Sequence, residues 1–498
     1  MTQRFSRRGF LAATAASAAV TAVPRHAFGQ TAISASPPLS PMSLTATSRV
    51  LDIDGRAATV YGLTNATGGQ GLILDPGQAF RVDLRNDLAE DTLIHWHGQV
   101  PPNDQDGVPN LPMPLLKPGE TRSYDYPTMP GTFWMHSHIP VQEMSLLAAP
   151  LILRSAQDLA ADRQEVVMFL HDFSFRPAQE VLAEITGGMA THDMAAMGES
   201  DGMEGMDHTA MGHDMAQMSG MEAGTGGMVM DLNDFNFDAY LTNDRTLSDP
   251  EVIRVEAGGR ILVRVINASA ATVFWIETGV PARLVAVDGH AVQPVAGTRF
   301  GLAMAQRLDI EIDLPGAGAF PLLALREGAR EQTGLILATP GARVAKLGGL
   351  ATADAPAFDT DLSQELLLQA ANPLPSRPVD RVHMIMLQGA MMPYVWKIDG
   401  GSWGNHKPIV ASSGERVEMT FHNMSMMGHP MHLHGHVFQV VNINGKAVSG
   451  AVRDTVFVPP MARITVALDA GEAARWMLHC HHMPHLSTGM MTEFAVSA

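Results

Sequence analysis

The chain has 498 residues, which at about 150 residues per domain suggests about three domains, each able to bury a core. Its 33 Lys and Arg against 51 Asp and Glu give a net charge of −18, which argues against nucleic acid or an anionic membrane surface as the main partner. The single cysteine excludes an internal disulfide, so it is either an inert core residue or a chemical one. Methionine and histidine are unusually frequent, at 33 and 21 residues.

Residues 1–30 predict an export signal. Arg7 and Arg8 precede a short, weakly apolar run that ends at Val23. This order is typical of a twin-arginine-type signal peptide, which we expect to be cleaved near Ala27–Thr31. The rest of the sequence has no uninterrupted run of 18 apolar residues, so we expect an exported protein that does not insert into a membrane.

Three copies of one strand-and-turn pattern recur along the chain. Each copy begins with Gly, has apolar residues three, five and seven positions later, and ends with Asn at the ninth position. The copies are Gly77–Asn86, Gly258–Asn267 and Gly414–Asn423. Strict alternation predicts a strand with one buried face, and the Gly and Asn predict turns at its ends. The recurrence therefore predicts three related β domains.

The segments after the three repeats differ from one another. His-x-His-Gly stands nine residues after the Asn in the first and third copies, at 95–98 and 432–435, whereas the second copy has Ile-Glu-Thr-Gly at 276–279. Domains one and three therefore share a function for which domain two is only a spacer. Because short strands dominate and helical periodicity is scarce, we expect an all-β protein of sandwich domains. The predicted domains are 42–155, 160–345 and 360–498.

Domains one and three each contain two His-x-His pairs. The pairs are His95 with His97, His136 with His138, His432 with His434, and His479 with His481. In a strand, residues i and i+2 point to the same face, so each pair directs two imidazoles at one place. A lone histidine is more often structural, but four pairs in matching positions of two repeats indicate a metal site. Imidazole suits copper, zinc, iron and nickel, so the pairs alone leave the metal open.

The single cysteine, Cys480, lies between the two histidines of the last pair, so its side chain points to the opposite face of the strand. His485 and Met490 follow it, and His429 precedes the third pair by three residues. Two histidines, one thiolate and a weak methionine are the ligands of a mononuclear blue copper site. Because one strand would reach both sites, the sequence predicts a short covalent path for electrons between them.

These motifs resemble those of the multicopper oxidases, the family of laccases, periplasmic copper oxidases and ceruloplasmin. The resemblance extends from about residue 45 to the end and implies three cupredoxin-like Greek-key β-sandwich domains. It also implies four copper ions, with donor oxidation at a type 1 copper and reduction of O2 to water at a trinuclear cluster between domains one and three. The implied ligands are His429, Cys480, His485 and Met490 for type 1; His95 and His432 for type 2; His97, His136 and His481 for one type 3 copper; and His138, His434 and His479 for the other.

The resemblance further implies a proton-delivering carboxylate at Asp106, for which the alternative interpretation is a turn residue within 104–107. Leu486 stands where several bacterial relatives have Glu directly after the type 1 histidine, so a second proton route is not implied. Fungal laccases also have Leu at this position, and oxidase activity is therefore still expected.

A methionine-rich insert interrupts domain two at 187–230. Eleven Met and three His occur between Met189 and Met230, with Gly and Asp interleaved and without Lys or Arg. This composition leaves little to bury, so a mobile loop is expected rather than an apolar helix stripe. Thioether sulfur favours Cu(I), so the insert is a candidate for copper recruitment. The candidate ligands are Met203, Met206, His208, Met211, His213 and Met215.

A second group of methionines precedes the type 1 histidine His429. In relatives that oxidise Cu(I), a Met two residues before this histidine and an Asp four before it help form the substrate site. Met427 matches that Met, whereas Ser425 replaces the Asp, so the site is only half retained. For Met424 and Met426 we expect a place in the core.

The sequence thus predicts a periplasmic, monomeric multicopper oxidase that uses O2 and a small donor, Cu(I) or phenols, and that serves copper tolerance. One enzyme alternative is a general laccase or a Mn(II)-oxidising enzyme, and another is copper nitrite reductase, which would not need all four pairs. A non-catalytic alternative is a periplasmic copper-sequestering protein. The remaining histidines are expected to be structural or exposed: His171, His290, His383, His406, His422 and His436, with His482 pointing away from the ligand face of its neighbour.

Overall fold

The computed structural model describes residues 41–187 and 232–498. Strands dominate these residues, with five short α-helices and one 3-10 turn among them, so the predicted all-β class is confirmed. No helix in the described part of the chain is long and apolar enough to cross a bilayer. The predicted export signal and the candidate copper-recruiting residues of the insert lie outside the described residues.

The first part of the chain forms two sheets with strand orders β2-β1-β4-β6 and β3-β8-β7-β5. The strands are β1 Met42–Ile53, β2 Arg56–Asn65, β3 Leu72–Leu74, β4 Arg81–Asn86, β5 Ile94–His95, β6 Thr121–Asp125, β7 Gly131–Ser137 and β8 Ala148–Leu153. The helices are α1 Pro140–Met144 and α2 Ala156–Ala160, and the 3-10 turn is Asn103–Gln105. The apolar residues of the two sheets form one core.

The second part forms a single nine-stranded sheet among the described residues. Its strands are β9 Gln164–Phe173, β10 Ala239–Thr242, β11 Val252–Arg254, β12 Arg260–Asn267, β13 Phe274–Val287, β14 His290–Leu302, β15 Arg307–Asp313, β16 Ala319–Arg326 and β17 Gln332–Ala338, with helix α3 at Ala178–Ile185. The first half of β13 pairs with β16 and its second half with β15. This long strand therefore joins two halves of the sheet around one core.

The third part again forms two sheets, ordered β19-β18-β21-β27-β23-β24, with β25 also on β23, and β20-β29-β28-β22-β26. The strands are β18 Arg381–Met391, β19 Tyr394–Ile398, β20 Ile409–Ser412, β21 Arg416–Asn423, β22 His429–Leu433, β23 Phe438–Ile443, β24 Lys446–Ala447, β25 Val452–Arg453, β26 Thr455–Val458, β27 Arg463–Asp469, β28 Arg475–Cys480 and β29 Met491–Ser497. The helices are α4 Ser363–Leu367 and α5 Met483–Ser487. Each sheet takes its strands from one predicted domain, although the exact domain limits stay a prediction.

The repeated pattern of the sequence becomes the same strand in all three parts. Strands β4, β12 and β21 pair in parallel with the first strand of their own part, which is β1, β9 or β18. On their other side they pair antiparallel with β6, β15 or β27. The closing asparagines Asn86, Asn267 and Asn423 are fully buried. Each side-chain amide donates to two backbone carbonyls, and each side-chain oxygen accepts the N–H two residues on. These contacts hold the turn that leads into the histidine-bearing segments.

Candidate metal centres

The four His-x-His pairs meet in one buried cluster between the first and third parts of the chain. None of the eight histidines is more than 3% exposed. Their rings face each other across the two parts, with Nε2 of His95 and His432 3.4 Å apart and Nε2 of His136 and His481 also 3.4 Å apart. Burial lowers the pKa of His136 and His481 well below the usual value, so these rings are neutral. The structure thus brings together all eight predicted cluster residues.

The hydrogen bonds of His95 and His432 indicate that a cation belongs between them. Nδ1 of His95 lies 2.8 Å from the carbonyl oxygen of Asp106, and Nδ1 of His432 lies 2.9 Å from that of Asp454. A carbonyl only accepts, so both protons are on Nδ1 and both Nε2 atoms present lone pairs. Two lone pairs facing each other at 3.4 Å repel unless a positive ion lies between them. Neutral imidazole is a good copper ligand, so these residues fit the metal that the resemblance implies.

His138, His434 and His479 form a second set of mutually facing rings. Nε2 of His434 lies 3.3 Å from Nε2 of His138 and 3.1 Å from Nε2 of His479. Nδ1 of His479 lies 3.0 Å from the carbonyl oxygen of Cys480, and Nδ1 of His434 lies 2.8 Å from Oδ2 of Asp106. Both acceptors place the proton on Nδ1, which leaves the converging Nε2 atoms free to bind a metal.

His97 is turned the other way from its partners. Its Nε2 lies 3.0 Å from Oδ1 of Asp454, so the proton is on Nε2. Its Nδ1 is buried and has no hydrogen-bond partner among the described residues. The ring therefore offers Nδ1, whereas the neighbouring cluster histidines offer Nε2, and Asp454 is the residue that fixes this choice.

Three buried carboxylates contact the cluster: Asp454, which bonds to His97, and Asp106 and Glu143. Asp106, 1% exposed, is placed by its loop so that its side chain contacts His434 and its Oδ1 has no hydrogen-bond partner among the described residues. Gly107 allows this loop to approach, because a Cβ there would lie 1.9 Å from the carbonyl oxygen of Ile94. Asp106 is therefore buried beside the cluster, whereas a residue that served only the turn 104–107 would be exposed at the surface. Glu143 of α1 reaches the cluster as well, with Oε2 2.7 Å from Nδ1 of His136.

The second part of the chain also reaches the cluster, through Arg307. This fully buried guanidinium forms a two-pronged ion pair with Asp454, and one of its contacts to Oδ1 is 2.8 Å long. A Cβ at Gly98 would lie 2.5 Å from Nη2 of Arg307 and 2.6 Å from Oδ2 of Asp454, so the Gly of the first His-x-His-Gly motif makes room for this pair. Domain two is therefore more than the spacer that the sequence predicted.

A second centre lies on the opposite face of β28, around Cys480. Sγ lies 3.7 Å from Nδ1 of His429 and 3.5 Å from Nδ1 of His485. Met490 is fully buried in the same apolar core, and its backbone bonds to both Cys480 and His485. Burial raises the pKa of the Cys480 thiol and lowers that of His429 to about 3. A thiolate at this site therefore needs a metal cation to balance its negative charge, and soft sulfur is a ligand that suits copper.

Aromatic rings enclose His485. The rings of Trp396 and His482 lie 4.0 and 3.9 Å from it, with interplanar angles of 31° and 22°. His482 is buried, and its Nε2 lies 3.4 Å from Oδ2 of Asp234. Nothing in the sequence indicated this stack, because Asp234 and Trp396 belong to no repeated motif.

The residues just before His429 alternate between inside and outside. Ser425 is 3% exposed and its hydroxyl lies 2.8 Å from Nε2 of His429, while Met427 is 6% exposed. Met424 and Met426 are 48% and 45% exposed, so the prediction that they lie in the core is wrong. The reason is that the Ser425 side chain turns inward to bond the buried turn, which directs its two neighbours outward.

Comparison with known proteins identifies the class to which this fold and these centres belong. Family profiles described as multicopper oxidase match residues 45–158, 204–339 and 376–498. Multicopper oxidase MmcO of Mycobacterium tuberculosis is 30% identical over 99% of this chain and 96% of its own length. A copper resistance protein A homolog of Pseudomonas syringae is 25% identical over 90% of each chain. A solved variant of McoA multicopper oxidase from Aquifex aeolicus has a TM-score of 0.66 at 20% identity, covering 93% of this chain and 97% of its own.

The chain belongs to the multicopper oxidase family. It is therefore a copper-binding oxidoreductase with the cupredoxin-like fold of that family. The resemblance read from the His-x-His and Cys480 motifs is confirmed at this level.

Proposed function

We propose that the protein is a copper-tolerance oxidase that takes electrons from Cu(I) and passes them to O2. Four Cu(I) ions and four protons react with one O2 to give four Cu(II) ions and two water molecules. The proposed resident cofactor is four copper ions, one at the Cys480 centre and three in the histidine cluster, with the ligands that the resemblance implies. The twin-arginine pattern supports a periplasmic location, and the presence of both centres in one chain supports a monomer.

Copper bound in the two centres supplies one-electron transfer at Cys480 and dioxygen reduction at the histidine cluster. The chain places Cys480 between His479 and His481, so three adjacent residues join the two centres. Sγ faces His429 and His485, while the neighbouring imidazoles face the cluster. Electrons therefore have a covalent route along one strand end.

The carboxylate of Asp106 is the proposed proton carrier. Its Oδ2 accepts from Nδ1 of His434, and its buried Oδ1 lies 3.4 Å from Nδ1 of His95 but accepts no hydrogen bond from the described residues. A buried carboxylate with an unused acceptor atom beside the cluster can hold a proton and release it to reduced oxygen. Leu486 supplies no second carboxylate next to His485, so the proposal rests on Asp106 alone.

One observation favours Cu(I) over a phenol as the donor. A cavity of about 30 Å³ lies beside Gly428, the residue that precedes His429, and it is lined by the thioether-bearing Met426 and Met427. A cavity that binds a benzene ring measures on the order of 150 Å³, whereas a cavity of about 10–15 Å³ already holds one water molecule, so this cavity is too small for a phenol ring but large enough for a small ion. Soft sulfur and small size both suit Cu(I).

The histidine cluster gives a direct test of the division of labour between the centres. In His97→Ala or His138→Ala we expect the blue absorption of the Cys480 centre to persist, because neither residue contacts that centre. Losing an outer contact of a metal site costs up to about a hundredfold in activity. His97 and His138 are proposed direct ligands, so oxygen consumption should fall by more than about a hundredfold. His422→Ala, at a partly exposed histidine that belongs to neither set, is the matched control. Loss of the blue band with oxygen uptake intact would contradict the assignment.

The methionine-rich insert should affect the apparent KM for the donor rather than the reduction of oxygen. Its eleven thioethers and clustered carboxylates offer many weak, exchangeable sites that raise the local copper concentration. Deleting residues 189–230 is therefore expected to raise the apparent KM for Cu(I) several-fold, while phenol oxidation stays equal or improves. If Cu(I) kinetics are unchanged and phenols remain the better donors, the protein is a laccase.

A further inference from the structure

Helix α1 places one carboxylate beside two histidines of the cluster. Glu143 is 2% exposed, and its Oε2 lies 2.7 Å from Nδ1 of His136. Nδ1 of His136 also lies 3.0 Å from the carbonyl oxygen of Ser137, so this nitrogen carries the proton and Oε2 is an acceptor. Oε1 of Glu143 lies 3.8 Å from Nδ1 of His481, and neither of these two atoms has a hydrogen-bond partner among the described residues. One carboxylate therefore faces the outer nitrogens of both rings whose Nε2 atoms meet at 3.4 Å.

The neighbours of Glu143 in α1 hold it in this place. The side-chain oxygen of Gln142 accepts hydrogen bonds from the hydroxyls of Ser137 and Thr92, which ties α1 to the strand end that carries His136. Met144 packs against a buried apolar cluster of the third part of the chain. Because both neighbours are fixed, the Glu143 side chain has little freedom to turn away from the two rings.

Glu143 and Leu486 occupy equivalent positions of two related segments. Glu143 is seven residues after His136, and Leu486 is seven residues after His479. Each lies on the short helix that follows a His-x-His strand, which is α1 for the first part of the chain and α5 for the third. Leu486 belongs to the apolar cluster against which Met144 packs. The carboxylate at this position of the repeat is thus on α1, and it reaches the histidines.

The two sets of proposed type 3 ligands differ in the charge around them. The first set is His97, His136 and His481, and the second set is His138, His434 and His479. In the first set every outer ring nitrogen faces a carboxylate, which is Asp454 at His97 and Glu143 at the other two. In the second set one outer nitrogen contacts the carboxylate of Asp106 and one faces a carbonyl oxygen. The third has no hydrogen-bond partner in the part of the chain that the structure describes.

Glu143 is the carboxylate that distinguishes the first set most clearly. Arg307 neutralises Asp454, whereas no Lys or Arg within the described ranges pairs with Glu143. A carboxylate at the outer nitrogen of an imidazole makes the metal-binding nitrogen more basic and fixes the direction of its lone pair. A more basic nitrogen stabilises Cu(II) more than Cu(I), because the attraction grows with the charge of the ion.

We propose that Glu143 is a positioning residue that makes the two type 3 copper ions unequal. Through His136 and His481 it holds the ion of the first set more tightly as Cu(II) than the ion of the second set is held. This inference rests on the proposed function, because it assumes the four copper ions proposed there. Glu143 contacts the rings and not the metal, and it keeps the proton of each ring on Nδ1 so that both Nε2 lone pairs point at one ion.

The test measures the copper at each of the two positions in crystals of the copper-loaded protein. A Cu(II) chelator is added in steps, and anomalous diffraction at the copper edge gives the occupancy of each position. In the native protein we expect the second-set position to lose its copper at a lower chelator concentration than the first. In Glu143→Gln, which keeps the shape of the side chain and removes its charge, the first-set copper should be lost at a chelator concentration about 10- to 100-fold lower than in the native protein.

Two further variants separate this role from a general effect on α1. Glu90→Gln is the matched control, because Glu90 is an exposed carboxylate that accepts from the Gln142 side chain of α1 but contacts no cluster histidine. Its occupancies should equal those of the native protein. Asp106→Asn removes the carboxylate of the second set and should widen the native difference between the positions. The blue band should be unchanged in Glu143→Gln and Glu90→Gln.

The occupancies can also contradict the role of Glu143. Equal loss of copper from the two positions in the native protein would overturn it, and so would native occupancies in Glu143→Gln or equal weakening of both positions in that variant. The measurement does not depend on the electron donor. A native protein with the expected difference in occupancy that oxidised only phenols would overturn the proposed function and leave the role of Glu143 standing.

Discussion

Replacing Cys480 with Ser is expected to abolish the blue absorption and donor oxidation together. In the proposed type 1 site the thiolate would be the source of the colour, and Cys480 would link the donor side to the histidine cluster through its two neighbours. Serine keeps the size of the side chain but is a poor ligand for copper, so donor turnover should fall by more than about a hundredfold.

The Cys480→Ser variant should still load the histidine cluster. None of the eight cluster histidines uses Sγ, so we expect copper per chain to fall by one ion and the fold to be retained. Copper analysis measures the bound copper, the visible spectrum measures the blue absorption, and oxygen uptake measures turnover. Continued turnover of ordinary phenols by this variant would refute the assignment of the type 1 site to Cys480.

Replacing Arg307 with Met is expected to have the largest effect on stability. Although burial raises the pKa of Asp454, the Arg307 guanidinium outweighs it and holds that pKa well below the usual value. Removal of the guanidinium leaves a buried charge without its partner, which typically destabilises a protein by about 3–5 kcal/mol. Asp454 would also lose its fixed orientation, and with it the contact to Nε2 of His97, so copper in the cluster should fall as well.

The matched control for this variant is Arg260→Met. Arg260 lies on the neighbouring strand and pairs with Asp313, but the two side chains are 53% and 55% exposed. An exposed ion pair contributes about 0–1 kcal/mol to stability. The control should therefore unfold at a denaturant concentration close to the midpoint of the native protein. Chemical denaturation measures both variants. Equal losses in the free energy of unfolding of the two variants would show that the Arg307–Asp454 pair does not stabilise the fold more than an exposed ion pair.

The sequence predicts the parts of the site that depend on local periodicity. A period of two residues places the members of each His-x-His pair on one face and Cys480 on the other, and the structure has this arrangement. The repeated Gly-to-Asn pattern likewise becomes one strand in each of the three parts. These features follow from the geometry of a single strand, which the chain specifies within a few residues.

The parts that the sequence does not indicate depend on long-range contacts between single residues. Arg307 and Asp454 are 147 positions apart and occur in no repeat, although the two adjacent charges of Arg453 and Asp454 beside the apolar residues 456–458 are a weak signal. The error at Met424 and Met426 has a related cause, because hydropathy alone does not show that the Ser425 side chain takes the inward position.

The most direct test of the central claim is the stoichiometry of the reaction. Copper per chain is measured first, and oxygen uptake is then recorded against the amount of Cu(I) oxidised, with an assay for hydrogen peroxide. The account predicts four bound copper ions, one O2 consumed for every four Cu(I), and water as the product. Oxygen uptake with phenols alone, or two Cu(I) per O2 with peroxide released, would contradict it.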